Sequence, residues 1–296
     1  MTTRSTEAAR PAGRGRVVTS LPFVAIYLVT LVVNLGFSLR EGRLSSVPTF
    51  DDVGYLADAL NRVVFGAGHG LWSPFGSFWW DAPHAPISTL TAMFGFWALG
   101  PNPASAYIAN GWVLALYIFV LARISRPLRS LLARSLFVAV LAYVPVAHAM
   151  VTEFRPDMAG GMLFALAIYA MVTTDFRSST WRDRLLLILV AALATIMKPS
   201  AIVLTIPALG VAFAAALVAQ GLFTRPEKGR LLRGGLVCVL LYALALVPFF
   251  IVYGGQTISY ISDVLFKDAD IWTTPGDAWF HWTYHWSGPG AKEAIG

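Results

Sequence analysis

The sequence predicts an all-α integral membrane protein, a multi-pass bundle of about seven spans with one further helix lying at the membrane surface in its first outer loop. Three observations predict it: a charge content too low for a soluble surface, a succession of apolar runs of spanning length, and arginines that recur in alternate connections. Of the 296 residues, 57% are hydrophobic and 13% charged, and the mean hydropathy is +0.65. A soluble globular protein carries about 25% charged residues. So few charges cannot cover a soluble body of this size, so lipid must form part of the solvent. The net charge of +6 would suggest nucleic acid if the bases formed one folded patch. They fall instead in short loops between apolar runs, a pattern of membrane topology with no nucleic-acid partner. Cys238 lies inside an apolar run as the single cysteine, which excludes a disulfide framework.

Each element follows from the same reading. Residues 1–16 form a basic, disordered tail carrying Arg4, Arg10, Arg14 and Arg16. The apolar run 17–39 is longer than the core of a cleaved signal peptide and leads into Arg40-Glu41-Gly42-Arg43. It is read as an uncleaved first span. Residues 40–103 form a long outer loop. Within it, 87–99 is too short to cross and is flanked by Pro86 and Pro101, which makes it an interfacial helix. Runs at 104–122, 135–151, 158–174, 185–197, 200–220 and 235–253 complete the transmembrane domain, 17–253. The run 185–197 is short and joins 200–220 through Lys198-Pro199; two passes or a re-entrant hairpin fit equally well and leave the parity unchanged. Residues 254–296 are read as a truncated outer loop rich in aromatics, among them Trp272, Trp279, Trp282 and Trp286. These tryptophans fit an interfacial belt better than a sugar platform.

With seven spans and the amino terminus inside, fifteen of the twenty-two bases are cytoplasmic. They are the tail arginines, Arg123/Arg126/Arg129/Arg134, Arg177/Arg182/Arg184 and Arg225/Lys228/Arg230/Arg233. Counting 87–99 as a span would break this pattern. Twelve of the sixteen acids fall on the other side, with His69, His84, His281 and His285, and His148 sits near the outer end of its span. Acids contribute little to orientation, so their asymmetry needs another cause: groups fit for acid–base or metal chemistry gather on the extracytoplasmic face.

The stretch Pro48-Thr49-Phe50-Asp51-Asp52-Val53-Gly54-Tyr55 is the most informative. Thr49 followed three residues later by Asp52 resembles a capping box. In the helix so begun, Asp51, Tyr55 and Asp58 share a face. Asp52 serves the cap and Asp51 is free to meet a substrate, although solvated acids on a first turn fit the spacing equally well. Asp81-Ala82-Pro83-His84-Ala85-Pro86 opens the interfacial helix and reads most simply as a proline-rich turn. Glu153-Phe154-Arg155-Pro156-Asp157 places three charges in a short turn, where solvation alone suffices. Lys198 lies between two apolar runs, where an ammonium is costly unless paired or snorkelling, and anion binding is the favoured reading. No P-loop, dinucleotide fingerprint, HExxH, nucleophile elbow or paired CxxC occurs.

Together these pieces resemble the GT-C class of polyprenyl-phosphate-sugar-dependent glycosyltransferases, in particular the group of protein O-mannosyltransferases, aminoarabinose transferases and lipopolysaccharide glycosyltransferases. Members show a first span, then an outer loop with an acidic pair followed by a tyrosine, as in Asp51-Asp52-Val53-Gly54-Tyr55. His84-Ala85-Pro86-Ile87 matches the short proline motif opening the interfacial helix, and Leu99-Gly100 its closing turn. Pro156-Asp157 matches the Asp-containing turn before the fourth span. Lys198 to Pro207 matches a lysine followed by an apolar run ending in proline. The likeness covers roughly 17–253 and lies in order and topology. The sequence departs from it at Asp52, where many members have Glu, at His84, which replaces a common lysine, and at Gly296, beyond which the family usually continues with more spans.

The resemblance implies transfer of a sugar from a polyprenyl-phosphate donor to an envelope glycan, lipid or protein acceptor, with inversion. A lipid phosphate is a good leaving group, so the reaction needs a base for the acceptor hydroxyl and cations for the departing phosphate. It assigns Asp51 as base, Asp52, Tyr55 and Asp157 to acceptor or geometry, and Lys198, Arg155 and His84 to the donor phosphate. The plasma membrane is the expected location. A divalent metal shared by Asp51, Asp52, Asp157 and His84 is left undecided. Two rivals stand beside this reading. A transporter would place ionisable groups within its spans, and a non-catalytic protein binding lipid-linked glycan would survive loss of Asp51.

Overall fold

The computed structural model describes residues 14–45, 51–144, 153–223 and 226–267. The chain divides into two units, Met1–Val252 and Tyr253–Gly296. Among the described residues every regular element is helical: α1 (Arg14–Arg40), α2 (Asp51–His69), α3 (Ser73–Ser77), α4 (Pro86–Leu99), α5 (Pro103–Ala109), α6 (Gly111–Ile124), α7 (Leu131–Ala142), α8 (Pro156–Thr173), α9 (Trp181–Ile196), α10 (Ile202–Ala219) and α11 (Lys228–Ser262). Single 3₁₀ turns occupy Arg43–Ser45 and Pro199–Ala201. In the second unit the described residues are the end of α11 and a π-helical turn, Asp263–Lys267, closed by an ion pair at 3.9 Å. His148, His281, His285 and the four tryptophans of 254–296 lie outside the described residues.

Five helical stretches among the described residues are long and apolar enough to cross a membrane: Ser20–Arg40, Pro103–Ile124, Pro156–Thr173, Pro199–Ala219 and Lys228–Ser262. Helices α4 and α7 are apolar but shorter, and the end of the expected run 135–151 lies outside the described residues. The helices begin earlier than their apolar runs because polar residues nucleate them. Asn102 caps α5 by accepting from Ser105 N, with Pro103 supplying a preset φ at the first helical position. Ser130 caps α7 through Ala133 N. Thr180 and Asp183 form a reciprocal capping box at α9, and the hydrogen bonds from the Thr180 hydroxyl and backbone N–H hold the Asp183 carboxyl below its ordinary range. The outward faces remain apolar, with Val32, Val140, Leu204 and Val211 all about two-thirds exposed or more. A continuous exposed apolar surface of this extent is what a lipid-facing wall requires.

Contacts at the helix ends show that the helices of the first unit alternate in direction. Helix α8 leads away from the acidic turn at Glu153–Asp157, and its 18 residues span about 27 Å. At its far end Gln220, closing α10, donates to Thr174 O at 2.8 Å and accepts from Phe176 N at 3.2 Å. The same turn receives α11 so closely that a Cβ on Gly234 would stand 2.0 Å from Phe176 O; only glycine fits. Helix α9 returns from this basic end to Lys198. One end of the unit therefore carries the acidic turn and Lys198, and the other carries Arg177, Arg182 and Arg184.

The core has three parts. One joins α1, α6, α7, α8 and α9 through Val113, Leu114, Val138, Leu163 and Met197. Another joins α8 to α11 through Ala167, Leu187, Leu209 and Cys238. The third lies among α2, α4, α5 and the turn before α8, where Tyr55, Leu56, Met93, Phe96, Tyr107 and Phe154 bury one another. Here α4 crosses α5 at Gly95, where a Cβ would meet Ser105 O at 2.5 Å. A helix does occupy the expected segment, as Pro86–Leu99, with one face buried against α2 and α5.

Candidate active site

The site is assembled around Asp52, in the first turn of α2. Its carboxylate is buried, at 1% exposure, and accepts from the Tyr107 hydroxyl at 2.6 Å and the Phe154 backbone N–H at 3.2 Å. A buried carboxylate is costly unless it is hydrogen-bonded. Here those bonds tie three distant segments together: the start of α2, α5, and the acidic turn before α8. Asn110 adds a further tie by donating to Glu153 O at 3.2 Å. Asp52, expected to serve a local cap with Thr49, is seen holding this tertiary junction. Thr49 and the side chain of Asp51 lie outside the described residues; the backbone of Asp51 opens α2 next to Asp52.

From the same turn, Asp157 occupies the first turn of α8, where the helix dipole favours an acid. It accepts from the Lys198 ammonium at 2.5 Å. Lys198 stands at the break between α9 and α10, fixed by Pro199 and by Met197, which packs buried against Gly160 of α8. The pair is half-open, with side-chain exposures of 34% for Lys198 and 51% for Asp157. Such an exposed pair contributes about 0–1 kcal/mol to stability; its consequence is an ammonium held at a defined point with solvent access. Arg155 pairs with Glu153 at 3.4 Å, both about two-fifths exposed.

Tyr55 and His84 lie together, their rings stacked at 6.2 Å with Tyr55 buried and His84 exposed. Asp58, expected on the same face as Asp51, is committed elsewhere. It accepts from Arg62 Nε at 2.9 Å and from the Thr89 hydroxyl at 2.8 Å. Arg62 is buried and also donates to Ser77 Oγ and to Asp81 O, with its guanidinium 4.6 Å from the centre of the Phe78 ring. This cluster locks α2, α3 and α4 to one another.

The structure therefore brings Asp52, Phe154 and the Asp157–Lys198 pair to one end of the bundle, and it places Tyr55 with His84 on α2 and the start of α4. Sequence reasoning missed Arg62, Tyr107 and Asn110. For Arg62 a signal existed, since it follows Asp58 by four residues on the helix. For Tyr107 and Asn110 there was none, because their partners lie 55 and 43 residues away. Three cavities among the described residues lie elsewhere: an apolar one of about 220 Å³ among α8–α11, a shallow one along α11, and a basic one at the opposite end. Among the described residues no three His, Cys, Asp or Glu side chains gather as a metal site.

Among the described residues the bundle is all-helical, with five stretches able to cross a membrane and Lys198 paired to Asp157 at the break between α9 and α10. The family model described as dolichyl-phosphate-mannose-protein mannosyltransferase matches residues 83–250, more than half of the chain, and the chain belongs to that family. The match begins after the acidic pair, of which Asp52 is joined to the matched region through Tyr107 and Phe154. No curated protein and no solved structure matches the chain significantly.

Proposed function

We propose that the protein transfers a sugar from a polyprenyl-phosphate donor to a hydroxyl of an envelope glycan, lipid or protein on the extracytoplasmic face of the plasma membrane. Asp51 takes the proton of the acceptor hydroxyl as its oxygen bonds to the anomeric carbon. The bond from that carbon to the phosphate oxygen breaks, the electron pair leaves with the lipid phosphate, and the configuration inverts. Lys198, with Arg155 and His84, receives the negative charge gathering on the leaving phosphate. Asp157 holds the Lys198 ammonium before the donor arrives. Asp52 is a positioning residue that fixes the start of α2, and Tyr55 supports it from the core.

The observation that carries this reading is the meeting of Asp157 and Lys198 beside the turn that Asp52 grips. A base-bearing helix start and a phosphate-binding cation then face the same water-accessible end. The arginine groups at the other end support a cytoplasmic amino terminus and seven passes. The exposed Trp72, Trp79 and Trp80 around α3 support α4 lying at the interface. The test is sugar transfer in membranes holding Asp51→Asn at normal protein level, supplied with polyprenyl-phosphate mannose and other polyprenyl-phosphate sugars. Transfer is expected to be lost; transfer at the wild-type rate overturns the assignment.

A further inference from the structure

At the end of the bundle opposite the candidate active site, α1, α6 and α7 enclose an open cavity of about 440 Å³. Its upper walls are apolar, formed by Phe23, Val24, Ile118 and Phe119, and its mouth carries Arg123, Arg126 and Arg134. Among the described residues no carboxylate pairs with any of these three arginines. Arg123 and Arg126 repel each other three residues apart on the chain. Arg123 rests over the Phe119 ring at 4.7 Å and Arg134 over the Phe23 ring at 5.3 Å. Arg134 gives one bond, at 3.3 Å to the Ala122 carbonyl, which it shares with the Ser125 hydroxyl, and its Nε is buried without an acceptor. A buried guanidinium donor lacking an acceptor is costly, and three like charges around one opening raise that cost. The chemistry that relieves both is a phosphate ester, and the apolar walls above the arginines match the chains attached to it.

We infer that this cavity binds the headgroup and upper acyl chains of an anionic glycerophospholipid from the leaflet at the basic end. The volume lies in the range of small-molecule sites, and basic pockets between membrane helices take anionic headgroups. The three arginines converge on the phosphodiester, and Tyr27 and Ser20 line the same space with hydroxyls. The bound lipid ties α1 to the α6–α7 turn far from the transfer chemistry.

The full chain in detergent is titrated with phosphatidylglycerol and, separately, phosphatidylcholine, and retained lipid is read by native mass spectrometry. Phosphatidylglycerol is expected to be retained preferentially, and Arg134→Gln to lower its retention about fivefold, the effect of one interfacial arginine. Arg129→Gln, outside the cavity, leaves retention and sugar transfer unchanged. Val24→Trp, which fills the apolar wall and spares the charges, lowers retention as well. Equal retention of the two lipids, or full retention in Arg134→Gln and Val24→Trp, overturns the inference. Displacement of phosphatidylglycerol by excess inorganic phosphate overturns the lipid as source and leaves a free-anion site.

Discussion

Two charged clusters lie in the same half of the protein and are built on opposite terms. Around Arg62 the arrangement is closed: the side chain is 4% exposed and bound by Asp58, Ser77 and the Asp81 carbonyl, and Asp58 is further engaged by Thr89, while the Asp81 side chain stands in solvent. Around Lys198 the arrangement is open, with one bond, to Asp157, and solvent at both side chains. A buried, fully bonded charge has no capacity left for a ligand, and its removal strands its partners. An exposed, singly bonded charge adds little to stability and can exchange its partner for a phosphate. By this contrast the first cluster is spent on structure and the second keeps an ammonium open to solvent, although both read as acids and bases in the sequence.

The comparison can be broken most severely at Asp51. Asp51→Asn is expected to lower transfer by about a hundred- to ten-thousandfold, the range for loss of a general base, with normal protein level in the membrane. Arg62→Met tests the closed cluster. Removing the buried Arg62 side chain leaves Asp58, 27% exposed, without its ion pair and costs about 3 kcal/mol, the low end for a broken buried pair, read as a fall in melting temperature and in protein level. A thermally normal Arg62→Met protein would remove the distinction between the clusters.

Lys198→Gln should do the reverse of Arg62→Met. Its melting temperature stays near wild type, while transfer drops about ten- to a hundredfold, roughly 1.4–2.8 kcal/mol in the barrier, with Asp157→Asn having a smaller effect in the same direction. A stability loss as large as that of Arg62→Met would show Lys198 to be structural. The smallest change is Tyr107→Phe, which removes one donor from the buried Asp52 carboxylate and costs about 1–3 kcal/mol of stability. On the proposal that Asp52 positions Asp51, transfer by the folded fraction should also fall, and transfer unaltered at equal protein level would separate the junction from catalysis.

Much of the fold was legible because lipid imposes a simple rule on sequence. Apolar runs of spanning length and arginines in alternate connections are local and additive, so they can be counted without knowing a contact. The helix ends shifted from those runs because caps such as Asn102, Ser130 and Thr180 set them. The site was legible only as residue types. Asp157 and Lys198 were singled out separately, 41 residues apart, and nothing in their spacing pairs them. Asp58 shows the converse, since helical periodicity grouped it with Asp51 and Tyr55 while Arg62 and Thr89 engage it.

The sequence by itself determined that this chain is a helical membrane protein and which of its ends is basic. Those properties are fixed by composition and by order along the chain. Only the tertiary structure decided which charges are spent and which are open, because that depends on burial and on partners brought from distant segments. Asp52, adjacent to Asp51 in the sequence, became the bolt of the junction only when Tyr107 and Phe154 arrived from 55 and 102 residues away.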